Sequence, residues 1–276
     1  MNSESGRRIE ENSENKLVWN PRHAWLCALG LIALDVGIDF GLRAAFQTSE
    51  GFANWLKSHQ HSVQNALTIF QAGMWLLIAR RLSRNQSIRC FIQNAGLRHG
   101  PDLLGWGGAW VAIGIGMLDH YGVVKGWTSP NQVTRSFFYH SGKALEIYIF
   151  FAILVAPFYE EVVLRGFLYQ AFRGGYGRLN STLLVICVTS YFHWSAISNS
   201  LYTPMCLISL WILVCILREW TTSVWNCVLC HAAYNAAGTV TWQIYVVSMM
   251  LLLPYCAYRT RSTKMSKGNP IGVSGQ

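Results

Sequence analysis

The sequence predicts an all-α, polytopic membrane protein with about eight transmembrane helices. Of its 276 residues, 52% are hydrophobic and only 13% are charged. An average soluble domain is roughly a quarter charged, so too few charges remain here to wrap a polar shell around one water-soluble core. The apolar residues also gather in runs close to bilayer-spanning length, about 18 residues or more. Finally, the basic residues between those runs fall overwhelmingly on alternate connections, as expected when the excess marks one side of a membrane. The same composition excludes a disordered chain, a collagen-like fibre and a disulfide-stapled secreted domain.

Taken in order, residues 1–22 read as a polar cytoplasmic tail of mixed charge. The first apolar run lacks a small-residue cleavage site and is expected to be an uncleaved anchor. Candidate spans fall at about 24–45, 62–79, 104–124, 144–169, 181–198, 203–217, 221–239 and 241–258, the run 203–217 being short enough to be tilted or partly interfacial. Residues 23–142 thus hold the N-terminal helices, 143–240 a second set, and 241–276 the last helix with a basic cytoplasmic tail. Segment 83–103, with apolar residues between arginines, is too short and charged to span and is expected to lie in the interface. Gly105, Gly107, Gly108, Gly114 and Gly116 sit in an apolar helix, where they predict close helix packing and not a nucleotide loop. Cys27, Cys187, Cys206, Cys215, Cys227 and Cys230 fall within apolar runs and behave as small hydrophobes.

Eight spans with a cytoplasmic N-terminus put Arg7, Arg8, Lys16, Arg22, Arg80, Arg81, Arg84, Arg89, Arg98, Arg173, Arg178, Arg218, Arg259, Arg261, Lys264 and Lys267 on one side. The other side receives Lys57, Lys125, Arg135 and Lys143, so both termini are expected in the cytoplasm. This bias accounts for the net charge of +9 without a nucleic-acid partner. The 12 Trp and 12 Tyr suit interfacial belts.

An ionisable residue inside a span costs about 2.5–3.5 kcal/mol on insertion scales, so it needs pairing or a use. Glu160, Glu161 and Arg165 stand together in the fourth span, within APFYEEVVLRG. Glu161 and Arg165 have the i,i+4 spacing and polarity of a helical ion pair. Glu160 points about 100° away from them. A structural ion pair would account for Glu161 and Arg165 but leave Glu160 idle, whereas a glutamate in a desolvated site suits general acid–base work. His193 lies in the fifth span, and His231 and Asn235 share one face of the seventh. Counted from the cytoplasmic ends of their spans, Glu160, His193 and His231 lie at one level, about 15–18 Å deep. A polar site at that depth implies a water-accessible cavity between helices.

Glu-Glu-x-x-x-Arg-Gly, then a helix with a single His, then His-x-x-x-Asn, resembles the CPBP family of intramembrane proteases. That family includes type II CAAX prenyl endopeptidases and bacterial bacteriocin-processing and self-immunity proteins. The resemblance covers about residues 145–240; Leu164 and Thr189 stand where the family commonly has Phe. It implies an eight-span helical fold and hydrolysis of a peptide bond in a membrane-associated protein or peptide; the membrane is expected to be a bacterial inner membrane. Glu160 would activate water with His193, His231 and Asn235 would stabilise the oxyanion, and Glu161 and Arg165 would shape the site. Substrates implied are CAAX-type proteins, bacteriocin leaders or C-terminal sorting signals. Oligomeric state is not legible.

Amide hydrolysis itself needs a base beside the attacking water and donors aimed at the developing oxyanion, which these residue types supply. Glu160, His193 and His231 are also a possible zinc set, but His-Glu-x-x-His is absent, and a metal-free glutamate mechanism is preferred. Cys227-x-x-Cys230-His231 fits a haem-attachment pattern, yet inside an apolar helix. Asp35, Asp39 and Arg43 suggest a proton path, or more simply an internal Asp39–Arg43 ion pair. Gly-x-Gly-Asp and Gly-x-Ser-x-Gly sites are missing. The alternative from another class is a transporter or scaffold with a buried polar pathway.

Overall fold

In a computed structural model of the chain, the described residues are 19–48, 51–52, 54–55, 59–83, 87–127, 150–198 and 200–237. Most of the expected N-terminal tail, the eighth candidate span and the basic C-terminal tail lie outside them. The elements are α1 (Pro21–Thr48), α2 (Gln60–Leu82), α3 (Ile88–Asn94), α4 (Leu103–Val124), the π-helical segment π1 (Phe151–Val155), α5 (Ala156–Glu161), π2 (Val162–Leu168), α6 (Tyr169–Phe192), α7 (Trp194–Ile197), α8 (Tyr202–Thr221) and α9 (Val224–Ala237). No strand occurs among the described residues. Among the described residues, two helices are long and apolar enough by themselves to cross a membrane, Pro21–Ala45 and Tyr202–Thr221. The chain forms two compact units, one of the residues up to Leu97 with Tyr159–Phe192, the other of Arg98–Phe158 with His193 onward.

In the first unit, α1 buries Ala24, Cys27, Ala28 and Leu31, one helical face, against its neighbours. Its outer face carries Leu26, Leu29, Val36 and Phe40, the last 73% exposed. Such a stripe is costly in water and natural against hydrocarbon. On α2, Trp75 is buried and its indole meets Tyr159 edge-on at 5.4 Å and Phe192 at 4.6 Å. On one straight helix residues 159 and 192 would stand about 50 Å apart. The chain therefore doubles back between them, and Gly177, with φ of 76° in the left-handed region, makes the turn. The polar break expected between the fourth and fifth spans is this turn. The returning arm runs parallel to α1, with Trp25 near Tyr176 at one end and Asp35 hydrogen-bonded to Tyr191 at the other.

The expected interfacial segment contains α3. Its N-cap Ser87 accepts from the Cys90 amide at 3.2 Å, Phe91 is buried near Trp19, and Ile88 and Ile92 stay exposed. The Ala95 carbonyl just beyond α3 reaches Gly166, where an added Cβ would stand 3.1 Å from it.

In the second unit, α4 presents Gly105, Gly108, Ala112, Gly116 and Asp119 as one buried stripe to α8 and α9. Tyr202 at the start of α8 meets Gly122 and donates to the Leu118 carbonyl at 2.8 Å, whereas Leu217 near the end of α8 meets Gly108; α4 and α8 are antiparallel. Asn226 meets Gly105 while Tyr234 and Ala237 meet Gly116, so α4 and α9 are parallel. The expected close packing holds at Gly105, Gly108 and Gly116 but not at Gly107 and Gly114, which face outward with nothing within 4 Å. The helical period decides which is which.

The sixth candidate span proves longer than the apolar run 203–217. Helix α8 reaches Thr221 because Arg218 in its last turn folds back onto the Thr222 carbonyl, and Thr222 ends it in the left-handed conformation. At the start of α4, Asp102 accepts from the Gly105 amide at 2.9 Å. Asn226 of α9 bridges it, donating to the Asp102 carboxylate at 3.1 Å and accepting from the Asp102 amide at 3.0 Å.

A Cβ at residue 116 would lie 2.8 Å from the Tyr234 carbonyl, a backbone atom that can yield only if α9 moves. Gly116→Ala is expected to destabilise the protein by about 1–3 kcal/mol. Gly114→Ala, two residues away and facing outward, should be neutral or gain up to about 1 kcal/mol from helix propensity. Thermal unfolding of the two variants in detergent distinguishes them.

Candidate active site

Two widened helical turns frame the Glu-Glu motif. Helix α5 carries Pro157, Glu160 and Glu161, with π1 before it and π2 after it. π-helical turns recur at functional sites because they displace side chains from the ordinary α-helical phase. Arg165 in π2 donates to the Glu161 carboxylate at 3.1 Å, and both side chains are fully buried. The expected ion pair is formed. Glu160, the adjacent residue, is half-buried. Gly166 follows Arg165 where a Cβ would crowd the Ala95 carbonyl at 3.1 Å. Leu164 and Thr189 are both buried packing positions, and the Thr189 hydroxyl is spent on the Val185 carbonyl at 2.7 Å.

His193 lies within the expected fifth span, 181–198, but not inside a continuous helix. It stands at the break between α6 and α7, with φ of −105° and ψ of 17°, and its carbonyl accepts from the amides of Ala196 and Ile197. Its ring packs edge-on against Trp211 at 5.4 Å. A helix interior would fix its direction by helical phase alone, whereas here the N-cap geometry of α7 sets it.

His231 and Asn235 share a face of α9 as expected; His231 is buried and Asn235 half-buried. Asn235 has a defined anchor, its Nδ2 donating to the Ala152 carbonyl at 2.9 Å. The reason lies in the sequence of π1. The Ala156 amide bonds to the Phe151 carbonyl, five residues back, and residue 157 is a proline with no N–H. The two donors that would ordinarily serve Ala152 are thus removed, and the asparagine amide supplies one instead. An amide nitrogen carries two N–H groups, and this bond commits one of them.

Glu160, Glu161 and Arg165 belong to the first compact unit, and His193, His231 and Asn235 to the second. Among the described residues, no group of three or more His, Cys, Asp or Glu side chains is arranged to hold a metal ion. The haem-attachment reading fails on burial: Cys227 and Cys230 are wholly enclosed, their thiols directed at the Val214 and Gly105 carbonyls. Asp39 and Arg43 do pair, at 2.7 Å, but their side chains are 60% and 75% exposed. The pair is therefore on the surface and not internal. Near the far end of a 28-residue helix, long enough to outreach the hydrocarbon, such side chains can stay solvated.

Several residues of consequence were missed by reading the sequence. Asp119 is buried on α4 and accepts a hydrogen bond from Tyr234 of α9 at 2.9 Å. The insertion-cost argument that singled out Glu160 applies equally to Asp119, an acid inside an apolar run. Asn226 and Trp75 carried no comparable signal, since an amide or an indole in a span is ordinary.

Residues 143–237 match the family model described as type II CAAX prenyl endopeptidase Rce1-like. No curated protein and no solved structure matches the chain. The matched segment contains the ion pair, Glu160, the break at His193 and the His-x-x-x-Asn face of α9, and over this part of the chain the sequence is similar to the Rce1-like type II CAAX prenyl endopeptidases.

Proposed function

We propose that the protein is an intramembrane endopeptidase that hydrolyses a peptide bond of a membrane-associated protein or peptide by a glutamate-activated water. The observation that carries this reading is the family match over residues 143–237, which spans all six motif residues. Glu160 takes a proton from water with His193, and the hydroxide adds to the scissile carbonyl carbon. His231 and the Asn235 amide donate to the oxyanion of the tetrahedral intermediate. Collapse breaks the carbon–nitrogen bond, and the proton held by Glu160 passes to the leaving amine. Glu161 and Arg165 neutralise one another and shape the backbone beside the base. No step is routed through a metal. CAAX-type proteins are the first substrate class to test, with bacteriocin leaders and C-terminal sorting signals after them.

The protein crosses a bacterial cell membrane eight times, with both termini in the cytoplasm. Support comes from helix directions within each unit. Strict alternation requires spans three and seven to be parallel and span six antiparallel to them, the arrangement of α4, α9 and α8. It also requires spans one and five to run together, as α1 and the returning arm of α6 do. Charge asymmetry supplies the sign.

Glu160→Gln should lower peptide hydrolysis by at least about 10³-fold with membrane insertion and melting temperature retained. Cleavage at an undiminished rate in that variant would remove Glu160 as the base. Activity is expected to survive a strong chelator; a loss restored by zinc would replace the metal-free mechanism with a zinc one. For topology, a single cysteine at position 125 in a background without its other cysteines should label from the outer side and one at position 89 from the cytoplasm. The reverse pattern would invert the orientation.

A further inference from the structure

Helix α9 carries both proposed oxyanion donors, and its angular setting decides where they point. Tyr234 lies between them, three residues after His231 and one before Asn235. It is gripped twice by α4. Its backbone carbonyl rests against Gly116, where a Cβ would stand 2.8 Å away, and its hydroxyl donates to the Asp119 carboxylate at 2.9 Å. Asp119 is 2% exposed, and an acid in a span costs about 2.5–3.5 kcal/mol unless something uses it. A hydrogen bond to a charged acceptor is roughly twice as strong as one between neutral groups.

Side-chain ends stand about 5–6 Å from a helix axis, so a 20° rotation of α9 moves them by about 2 Å. A misplacement of about 1 Å at a reacting group can cost as much as 10²-fold in rate. Packing of small residues alone leaves such a rotation cheap, since glycine and alanine surfaces are smooth. A long side chain bonded at its tip resists it.

We propose that Asp119 is a positioning residue for the hydrolysis: through Tyr234 it fixes the rotation of α9 and so aims His231 and Asn235 at the oxyanion. This rests on the reading of His231 and Asn235 proposed above. Asp119 touches no reacting atom in this assignment. Its contribution is to the rate of the bound complex.

The test measures kcat and KM per folded enzyme on a membrane-anchored CAAX peptide, using the full chain in lipid nanodiscs. Tyr234→Phe, which removes only the hydroxyl, should lower kcat by about 10- to 100-fold with KM changed less than about threefold. Asp119→Ala should do the same, and the double variant should be no slower than the slower single variant, because both break one bond. Asp119→Asn keeps an acceptor for the hydroxyl and should recover kcat to within about threefold of the unmodified enzyme. If Tyr234→Phe lowers only the melting temperature and leaves kcat unchanged, the pair is structural and the proposal is overturned. Additive losses in the double variant would overturn it as well. Should Asp119→Ala fail to fold, Tyr234→Phe and Asp119→Asn decide the matter. Glu160→Gln in the same assay keeps the two failures apart: full activity there sinks the hydrolytic reading itself, while loss there with normal kcat in Tyr234→Phe sinks the positioning role alone.

Discussion

The buried Glu161–Arg165 pair sets the terms for everything around it. Two charges taken out of water together cost several kcal/mol each before their attraction is counted, and removing either partner strands the other. The segment from Ala156 to Leu168 must therefore keep a geometry that holds the pair at 3.1 Å. Arg165 lies in a π-helical segment, and Gly166 beside it admits the Ala95 carbonyl. Ala95 follows α3, the short helix between the arginines of the interfacial segment. A single ion pair thus fixes the backbone beside Glu160 and the course of a connection some seventy residues earlier in the chain.

The same rule operates at lower stakes elsewhere. In a hydrocarbon environment every main-chain or side-chain polar group needs a protein partner, so a missing donor in one helix becomes a recognition point for another. Pro157 removes the donor that would have served Ala152, and Asn235 fills the gap. Asp102 at the head of α4 and Asn226 of α9 satisfy one another in both directions. The Ser223 hydroxyl takes up the His99 carbonyl at 2.6 Å. Each of these bonds is worth only about 1 kcal/mol net, yet each has one allowed register, and leaving it unmade costs more than making it gains. Apolar packing brings helices together; these bonds choose the register.

How much of this was legible depended on whether a residue departs from its surroundings. Glu160, Glu161 and Arg165 stand out because charge is rare in an apolar run, and the i,i+4 spacing already contains the ion pair. His231 and Asn235 are legible as one face because helical phase is simple arithmetic. The glycines of α4 were legible as packing residues, and that arithmetic would also have separated Gly105, Gly108 and Gly116 from the outward Gly107 and Gly114. Other features leave no mark in one dimension. The π-helical turns follow from how hydrogen bonds shift around Pro157 and the ion pair, not from any residue preference. His193 looks like a helix-interior residue until the break after Phe192 is seen. Asp119 departs from its surroundings by the same rule, but a single acid without a neighbouring motif carries less signal than three charges together.

The division of labour between α4 and α9 explains why one should carry a readable motif and the other not. A donor that must reach an oxyanion admits few residue types, so in the proposed mechanism His231 and Asn235 would be constrained by chemistry. A helix that only cradles another needs small residues at the right phase and one acceptor at the right height. Gly, Ala or Ser satisfy the first requirement at many positions. Asp, Asn, Glu or a carbonyl can satisfy the second. Such a specification is loose in sequence and tight in space. Two chains could therefore share the geometry of α4 while sharing almost none of its letters, and the side chains that aim a catalytic group would lie outside the segment by which the group is recognised.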